Sequence, residues 1–565
     1  MIEKKLEEIL NKVIKECFNE DFCTCVHSSN KNCDYQCDDC FSLSKTLKNP
    51  PFKIAEIIVN KLKEDKSFSK IFKNVEFAHP GFINFILTDE FIDNCLEKMS
   101  ESEKFGVESP LNPKVYFLDY GGPNIAKPLH VGHLRSPIIG ESVKRIVNFS
   151  GNKTISDVHF GDYGLQIGEV IYGLKEKNIS KENITLELLQ EIYPDINARI
   201  KIDDNLNSKC AEITKELQEG NKEYHEYFEI IREISKNDIL RLYDYLDIKF
   251  DLYEGESNSY EYIDELTELL NSKNLLIESQ GAKVIDIRKE DDKKELPPLI
   301  YQKSNGAYLY GTTDMASVLE RIKKFKPDNF IYFADIRQDL HFNQFFRAIS
   351  KTGIINENQF EFYGFGTVNG LDGKPYKTRE GNSPTLDSLF NQVKTLLLKN
   401  KEMDLEKPED IDKIVNSVIK FADLQNNYEK DYIFDIEKFS KTEGKTGPYL
   451  LYSYVRLNKV LNKFNESLEP KFNGVNKNEI EREIKLKLLS FPKIFNRSFV
   501  ERKPHYLADY VYDLSTKLNA FYEQNRFSDS ENEKYLPSWL KLIDISLKLE
   551  KTILKLLVID TVQKM

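Results

Sequence analysis

Long hydrophobic runs are absent from this chain of 565 residues. No stretch approaches the roughly eighteen consecutive apolar residues that mark a transmembrane helix, which excludes an ordinary membrane span. The N-terminal stretch MIEKKLEEILNKVIKECF carries apolar residues at helical spacing among mixed charges. Because it lacks the basic start and the apolar centre of a signal peptide, we expect the chain to work in the cytoplasm.

The chain also lacks an overall positive charge, since its formal net charge at pH 7 is −12. That value argues against a polyanionic partner, but the charge is unevenly distributed. Residues 471–565 contain 17 Lys+Arg against 13 Asp+Glu, a net of +4, which leaves −16 for the remainder. Because nucleic acid binds to a local basic face, the composition leaves a C-terminal RNA contact open.

Cysteine is scarce outside one short stretch, residues 17–40, which holds six of the eight cysteines. Disulfides are disfavoured in a cytoplasmic chain. Free thiols are the favoured interpretation, because the stretch lacks a CxxC pair repeated at finger spacing. The alternative is a zinc site, with His27 as a further ligand. Its candidate ligands are Cys23, Cys25, Cys33, Cys37 and Cys40.

Three regions with different patterns follow one another along the chain. Residues 1–108 predict a small α+β domain, in which HPGFINFIL forms a strand entered through a Pro-Gly turn. Residues 109–398 repeat the order strand, glycine-rich loop, helix, which predicts a parallel α/β sheet. A charge-rich segment of helical period at 175–280 predicts an insertion, after which AKVIDI, NFIYFAD and EFYGFGTVNG resume the sheet. Residues 399–565 show amphipathic helical patterns and no strand, which predicts an all-helical domain.

The stretch NIAKPLHVGHLRS places His130 and His133 around Gly132 where the first strand of the sheet leads into a helix. Ligands of parallel sheets bind at the carboxyl ends of the strands, and helix N-termini favour anions. Two imidazoles there could hydrogen-bond a phosphate chain, and Gly132 would let a base or ribose lie against the backbone. The pattern favours nucleotidyl transfer, with the imidazoles stabilising phosphoryl charge. The alternative is a pair of packed or solvated histidines.

A glycine-rich basic loop further on, GFGTVNGLDGKPYKTREGNSP, would by itself predict only a solvated loop. Paired with HVGH, it resembles the second of the two signature motifs, HIGH and KMSKS, of class I aminoacyl-tRNA synthetases. The wider sequence is similar to one member, the arginyl-tRNA synthetase family, over nearly its whole length. The matching stretches include HFGDYGLQIG, YLYGTTDMA, RQDLHFNQFF, IKFADLQNNYEKDYIFD, EGKTGPYLLYSYVRL and YDLSTKLNAFY, in that order.

The resemblance implies a multidomain α/β plus α fold. It comprises an N-terminal α+β tRNA-binding domain (1–108), a Rossmann-type catalytic domain with a helical insertion (109–398) and an all-helical anticodon-binding domain (399–565). It implies that L-arginine is activated with ATP and transferred to the 3′ end of tRNA(Arg), with tRNA required for activation. ATP chemistry implies Mg²⁺, and we expect a monomer. Two other classes stay open: a synthetase-like module that holds tRNA without catalysis, and a small-molecule nucleotidyltransferase that shares HxGH.

The resemblance also implies an arginine pocket. A guanidinium needs planar, bidentate carboxylate partners, which two aspartates would supply. A tyrosine four residues before the second aspartate on a helix would share its face, and two amides would hold the α-amino and carboxylate groups. A site built this way rejects lysine by ~10⁴-fold or more, so no editing domain is needed. The expected residues are Asp119, Asn124, Tyr310, Asp314 and Gln338.

Phosphate charge is expected to be stabilised by His130, His133, Lys127 and Lys377, with Gly132 and Val368 also contacting ATP. The sequence departs from the family at Glu380, near the place of the second KMSKS lysine, and Lys127 is expected to supply the missing cation. For tRNA, the resemblance points to aromatic, amide and basic side chains in both end domains, although aromatics at helical spacing are more often core. These side chains are Phe82, Asn84, Tyr454, Arg456, Tyr512 and Asn519.

Overall fold

The computed structural model describes residues 2–29, 32–376, 384–399, 405, 407–465 and 468–565. Across these ranges, helices and strands divide into three consecutive regions that pack against one another. No helix within them is long and apolar enough to cross a membrane.

The N-terminal region packs helices on one face of a four-stranded antiparallel sheet of order β1-β2-β4-β3. In its last strand, buried Ile83, Phe85 and Leu87 alternate with partly exposed residues, as expected for a strand with one covered face. The elements are α1 (Ile2–Phe18), β1 (Val26–Ser28), β2 (Tyr35–Cys37), α2 (Cys40–Leu47), α3 (Pro51–Lys63), α4 (Phe68–Ile71), β3 (Phe72–Ala78), β4 (Phe82–Leu87) and α5 (Asp89–Ser100).

The central region is built on a four-stranded sheet of order β11-β10-β5-β6, in which all neighbours are parallel. Helices cover both faces, so its inner strands are apolar along their length: Phe330, Ile331, Tyr332 and Phe333 are all buried. The framework consists of β5 (Val115–Tyr120), α6 (Arg135–Phe149), β6 (Lys153–Asp157), α7 (Leu165–Glu176) and, after an insertion, α13 (Tyr310–Phe325), β10 (Asn329–Asp335), α14 (Asp339–Ser350), β11 (Phe360–Phe365), β12 (Val368–Asn369) and α15 (Leu386–Leu398).

The insertion lies between α7 and α13 and is helical in its first part, as the sequence predicts. AKVIDI was expected in the parallel sheet, but it forms the middle strand of a separate antiparallel sheet, β7-β8-β9. The elements are α8 (Leu186–Ile200), α9 (Asp204–Gln218), α10 (Lys222–Tyr245), α11 (Glu256–Ser259), α12 (Ile263–Ser272), β7 (Leu276–Ser279), β8 (Ala282–Ile285) and β9 (Leu299–Gln302).

The C-terminal region is helical, with one exception to the prediction that it contains no strand. Its two-residue β13 pairs in parallel with β12, so that Val368 lies opposite Tyr432. Central α16 is buried nearly all round, which explains its apolar sequence. The elements are α16 (Asp410–Leu424), β13 (Tyr432–Ile433), α17 (Ile436–Phe439), α18 (Gly447–Asn465), α19 (Glu479–Leu489), α20 (Phe491–Glu501), α21 (His505–Gln524) and α22 (Leu536–Leu556).

Buried ion pairs join the N-terminal and C-terminal regions. Lys485 of α19 lies 2.5 Å from Asp93 of α5, with both side chains almost fully buried. Arg482, one turn earlier, pairs with Asp34 and Asp89. Buried charges tolerate this position only because each has a partner. The predicted architecture, α+β, then parallel α/β with an insertion, then helical, is confirmed, while the predicted boundaries at 108 and 398 stay predictions.

Candidate active site

The site lies at the carboxyl ends of β5, β6 and β10, where a parallel sheet places its ligands. The chain leaves β5 through Gly121 and Gly122 and makes an isolated bridge between Asn124 and Gly161. A Cβ on Gly161 would fall 2.1 Å from the Asn124 Oδ1 atom. Gly161 is therefore the residue that lets the Asn124 side chain stand at the mouth of the site.

The HVGH motif forms a single 3₁₀ turn, Val131–His133, just before α6. The Nδ1 atom of His130 accepts the backbone N–H of Gly132 at 3.0 Å, and the Nδ1 atom of His133 accepts the backbone N–H of His130 at 3.1 Å. The ring centroids lie 4.0 Å apart. A Cβ on Gly132 would fall 2.8 Å from the His130 ring, so only glycine fits between the two imidazoles.

These hydrogen bonds fix the protonation of both rings. Because each Nδ1 accepts a backbone proton, each neutral ring carries its hydrogen on Nε2. Burial, reinforced by the charge of Lys127, lowers the pKa of His130, and burial together with the neighbouring His130 lowers the pKa of His133 to about 3. Both imidazoles are thus neutral Nε2–H donors at physiological pH, suited to phosphate oxygens without adding a proton to them.

A cavity of about 330 Å³ opens beside this turn. His130, Gly132 and His133 line one side of it, and Val368 and Tyr376 line the other. Residues 384–386 run along the motif: the backbone N–H of Val131 bonds to Pro384 at 3.3 Å, and the backbone N–H of Leu386 bonds to Leu129 at 3.0 Å. The described neighbours of the KMSKS-like stretch on both sides therefore lie next to HVGH. Lys377 and Glu380 themselves lie outside the described residues.

Lys127 lies on the loop that enters the motif. Its Nζ atom is 4.6 Å from the ring centroid of Tyr193, and no carboxylate of the described chain lies within ion-pair distance of it. Its positive charge acts on both histidines, lowering their pKa values. The ammonium stands beside the candidate phosphate site, and its charge also acts on the buried carboxyl of Glu169, where it opposes the rise in pKa that burial causes.

All five residues expected to bind arginine line one cavity of about 680 Å³, which His133 and Gly132 also reach. Tyr310 and Asp314 lie one turn apart at the start of α13, as the spacing predicts. Asn124 and Gln338 stand on exposed loop and 3₁₀ positions at its edge. The structure therefore places all five predicted residues around one cavity, and the contacts of each side chain inside it differ.

Asp119 differs from expectation, because its carboxylate already has a guanidinium partner inside the protein. Arg321 of α13 places Nη1 2.8 Å from Asp119 and Nη2 2.9 Å from Asp157. The same Nη2 lies 3.1 Å from the Nδ1 atom of His159. Arg321 is only 2% exposed and lies over the Phe117 ring. We call Asp119, Asp157, His159 and Arg321 the buried cluster; its charges are matched internally.

Protonation within the buried cluster supports that balance. Burial would lower the pKa of His159, but the hydrogen bond to the Asp157 carboxylate, together with the charges of Asp119 and Asp157, outweighs burial and raises this pKa to about 9. Burial would raise the pKa of Asp157, yet His159 and Arg321 hold it well below its usual range. Two carboxylates therefore face two cations, which leaves little charge for a ligand.

A second group, the rim cluster, comprises Glu256, Tyr310, Asp314 and His341. The Nε2 atom of His341 lies 2.6 Å from one oxygen of Asp314, and that carboxylate is 26% exposed. Burial would lower the pKa of His341, but the hydrogen bond and charge of Asp314 outweigh it and raise it. Burial, with the charge of Asp314 also contributing, raises the pKa of Glu256 to about 7. No arginine or lysine of the described residues pairs with either carboxylate.

Sequence reasoning missed several members of this cavity, among them Glu256, His159 and His341. His159 and His341 lie inside stretches that match the family, HFGDYG and RQDLHF, but nothing in their spacing assigns them a role. Glu256 begins α11, within the segment predicted to be a helical insertion. The only local feature in the sequence that points to Glu256 is the glycine before it. In the structure, Gly255 forms an isolated bridge with Phe160, which returns the chain to the edge of the parallel sheet.

Of the residues expected to contact tRNA in the helical region, some lie at the surface and one lies in the core. Arg456 lies over the Tyr522 ring at 4.3 Å and lines a groove between α18 and α21 with further basic and aromatic side chains. Tyr512 packs on Tyr449, and the side-chain amide of Asn519 donates to the Tyr449 hydroxyl at 3.0 Å. Tyr454 is a correction: it is 7% exposed and belongs to the core, so its ring faces no base.

In the N-terminal region, Phe82 and Asn84 stand on the partly exposed face of β4. Phe82 makes an edge contact with Phe41, with ring centroids 5.4 Å apart, and Asn84 accepts a hydrogen bond from Gln36 at 2.7 Å. Both keep part of their surface open, so the strand face remains a candidate base platform.

The cysteine stretch shows no metal geometry in the described residues, where no group of three His, Cys, Asp or Glu side chains could hold an ion. Cys23 and Cys25 are exposed, whereas Cys33, Cys37 and Cys40 are buried. Burial raises the pKa of Cys40 to about 12, so in the metal-free protein this side chain is a neutral thiol. The free-thiol interpretation and the zinc alternative both stay predictions.

Three protein families match consecutive parts of this chain. The family described as class I tRNA synthetases (R), catalytic domain, matches residues 95–436. The DALR anticodon binding domain matches residues 450–565, and the arginyl tRNA synthetase N-terminal domain matches residues 1–87. The fold, the HVGH turn and the first of these matches define the chain as a class I aminoacyl-tRNA synthetase.

Similar proteins show which class I synthetase family the chain belongs to. The arginine–tRNA ligase of Alkaliphilus oremlandii is 39% identical over 556 residues, covering 94% of each chain, and that of Agathobacter rectalis is 37% identical over 548 residues, covering 90% of each. The crystal structure of arginyl-tRNA synthetase from Plasmodium falciparum matches with a TM-score of 0.81 at 29% identity, covering 100% of this chain and 99% of the other. The chain belongs to the arginyl-tRNA synthetase family.

Proposed function

We propose that this protein joins L-arginine to the 3′ end of tRNA(Arg) in two steps. The carboxylate of arginine attacks the α-phosphate of ATP, which gives arginyl-adenylate and releases pyrophosphate. The 3′-terminal ribose hydroxyl of the tRNA then attacks the adenylate carbonyl and releases AMP. The observation that carries this proposal is the contiguity of two spaces: a phosphate-sized cavity beside neutral Nε2–H imidazoles opens onto a cavity with carboxylates at its rim.

The guanidinium of arginine binds at the rim cluster rather than at Asp119. Asp314 and Glu256 supply two carboxylates without internal arginine or lysine partners among the described residues, and Tyr310 closes the exposed side. A guanidinium offers planar paired N–H donors that match such carboxylates, whereas the lysine ammonium does not. Asn124 and Gln338 bind the α-amino and carboxylate groups at the end of the cavity that faces HVGH.

The phosphates of ATP lie against the histidine turn. His130 and His133 donate Nε2–H to oxygens whose negative charge grows in the transition state, which is the most effective use of preorganised donors. Lys127 and Lys377 add positive charge, and Gly132 and Val368 contact the nucleoside. No side chain acts as a covalent nucleophile, because the arginine carboxylate attacks directly.

Mg²⁺ enters with ATP instead of occupying a protein cage. No group of three candidate ligands was found in the part of the chain that the structure describes, and Mg²⁺ commonly keeps its waters and binds through substrate phosphates. The ion supplies phosphate charge neutralisation. We expect a monomer, which light scattering on a sizing column would check. The cytoplasm, which holds ATP and tRNA, is the expected compartment.

The tRNA is held by both end regions. The groove between α18 and α21 presents Arg456 with Lys459, Lys463 and Arg526 among aromatic rings, a composition suited to unstacked loop bases and phosphate. The β4 face with Phe82 and Asn84 lies at the opposite end of the chain. Two separated contacts of this kind let one tRNA span the protein while its 3′ end reaches the catalytic cavity.

ATP–pyrophosphate exchange with each proteinogenic amino acid, with and without bulk tRNA, tests this function. Exchange with arginine alone, dependent on tRNA, is expected. Binding of tRNA without any exchange would identify a non-catalytic module. Nucleotidyl transfer to a small acceptor with no tRNA binding would identify a small-molecule nucleotidyltransferase.

A further inference from the structure

Arg135 follows the histidine turn directly, two residues after His133, and begins α6. Its side chain is 1% exposed, which makes it one of the largest fully buried side chains of the described chain. A guanidinium cannot lose its charge in a protein, so its burial must be compensated by acceptors.

The acceptors come from two other segments. The Nη1 atom of Arg135 donates to the carbonyl of Gly366 at 2.7 Å and to the carbonyl of Lys430 at 3.0 Å. The Nε atom donates to the Asp423 carboxylate at 3.2 Å, and the rings of Phe365 and Tyr432 lie on either flank of the guanidinium. One side chain therefore joins three stretches that are far apart in sequence.

Those stretches build the far wall of the ATP-facing cavity. Gly366, Thr367 and Val368 line it opposite the histidine turn. β12 is only two residues long; in the described chain it pairs with β13 and makes one isolated bridge, between Asn369 and Pro375, so it has little stability of its own. Asp431 supports it by accepting the Thr367 N–H at 2.6 Å, and a Cβ on Gly366 would collide with the Lys430 and Asp431 backbone.

The orientation of the Arg135 guanidinium favours its hydrogen bonds to backbone carbonyls over the strongest possible ion pair with Asp423. Arg135 and Asp423 share one hydrogen bond and do not form the two-bond fork available to this pair. Arg135 Nη2 and Asp423 Oδ2 are both buried without a hydrogen-bond partner among the described residues. The side chain instead directs Nη1 to the carbonyls of Gly366 and Lys430, each of which lies two residues before one of the paired strands β12 and β13.

We propose that Arg135 is a positioning residue that sets the distance between the histidine turn and the β12 wall of the ATP cavity, with Asp423 tying both to α16. This inference rests on the proposed function, because it assigns that cavity to ATP. Loss of the guanidinium leaves a carboxylate and two carbonyls buried without a donor, so the wall moves to reach water. The histidines then face phosphates at the wrong distance, while the arginine rim cluster, on other elements, is unaffected.

Arg135→Lys tests this role, because lysine keeps the charge and loses the planar donors. We expect the KM for ATP to rise ~10-fold or more, since small misplacements of reacting groups have effects of this size, while the KM for arginine stays unchanged. Asp423→Asn keeps an oxygen acceptor for Nε and should show the same ATP-specific change with smaller size. If Arg135→Lys does not fold, the KM values of Asp423→Asn test the positioning role instead.

The matched control is Asp93→Asn, which removes the charge of an equally buried pair with Lys485, far from the cavity. It should lower the melting temperature and leave both KM values as they are. If the folded Arg135→Lys and Asp423→Asn proteins lose thermal stability but keep the wild-type KM for ATP, Arg135 is structural only and the inference is wrong. Equal rises in both KM values also overturn it. If the protein shows no arginine-dependent exchange, direct titration measures the Kd for ATP instead. A weaker ATP affinity in Arg135→Lys then supports this inference even though the proposed function has failed, so the two outcomes are distinguishable.

Discussion

Two ionic clusters line the same cavity and differ in what they leave for a ligand. In the buried cluster, Asp119 and Asp157 are held by Arg321 at 2.8 and 2.9 Å, and His159 adds a second cation. In the rim cluster, Asp314 has only an imidazole partner and Glu256 has no arginine or lysine partner among the described residues. A carboxylate attracts a cationic substrate strongly only when no cation of the protein already neutralises its charge.

The comparison shows why residue type alone does not assign a role. Asp119 and Asp314 are the same type of residue at the edge of the same cavity, yet Asp119 pairs with an internal guanidinium and Asp314 only with an imidazole. A guanidinium brought to Asp119 would meet Arg321 and be repelled by a charge of the same sign at short range. The rim cluster offers the attraction without that repulsion.

The largest effect is expected from a cation outside both clusters. Lys127→Ala should lower kcat for adenylate formation ~10²-fold, the scale on which loss of one preorganised donor acts. The arginine KM should barely change, because Lys127 lies by the histidines. ATP–pyrophosphate exchange in the presence of tRNA measures this step. Near-normal turnover would mean that the ammonium is merely solvated.

Asp314→Asn tests the rim cluster itself. Truncating the charge of one partner in a desolvated pair costs roughly 2–5 kcal/mol, and the partial exposure of Asp314 puts the effect at the lower end. The KM for arginine should therefore rise ~30-fold, with the KM for ATP unchanged. Steady-state aminoacylation at varied arginine and varied ATP gives both values. A rise shared equally between the substrates contradicts the assignment.

The pH dependence of arginine binding sharpens the comparison, because only the rim cluster titrates near neutrality. The pKa of Glu256 is raised to about 7, so its carboxylate is lost as the pH falls through 7. A protonated carboxyl does not attract a guanidinium, so the arginine KM should rise between pH 8 and pH 6. Protonation of His341 acts in the same direction, since it neutralises Asp314.

Glu256→Gln separates these contributions. This variant should have a higher arginine KM at pH 8, by ~10-fold for a lost charge-assisted hydrogen bond, and a flatter pH profile. A Glu256→Gln profile identical in slope to the wild type would exclude Glu256 from the guanidinium site.

Asp119→Asn should have the smallest effect on substrate binding and act on stability instead. It leaves Arg321 buried with one carboxylate fewer, at a cost of about 1–3 kcal/mol. The melting temperature should fall, while the folded protein keeps an arginine KM close to wild type. Thermal denaturation followed by kinetics below the transition measures both. A large rise in KM with no loss of stability would return Asp119 to the substrate pocket.

Much of this site could be predicted from sequence because it lies on local signals. HVGH, Asn124, Tyr310, Asp314 and Gln338 each stand at a strand end or helix start, which the strand-loop-helix order locates. The pairing of Asp119 with Arg321 could not be predicted, since it depends on how α13 crosses the sheet. The role of Glu256 was hidden for the same reason, because its segment returns to the sheet edge after three intervening helices.

Helix facing explains the error in the C-terminal region. Tyr454 and Arg456 are two positions apart on α18, and such neighbours point in different directions on a helix. Arg456 consequently reaches the groove while Tyr454 enters the core. The two-residue strand β13 was missed because so short a pairing leaves no period in the sequence.

The most direct test of the account compares arginine with citrulline, which has the same shape but a neutral ureido group. The ratio of kcat/KM for the two amino acids should be high in the wild type and equally high in folded Asp119→Asn. In Asp314→Asn it should fall at least ~10-fold, because the charge that discriminates them is gone. A ratio that falls in Asp119→Asn and survives in Asp314→Asn would show that the buried cluster, and not the rim cluster, binds the guanidinium.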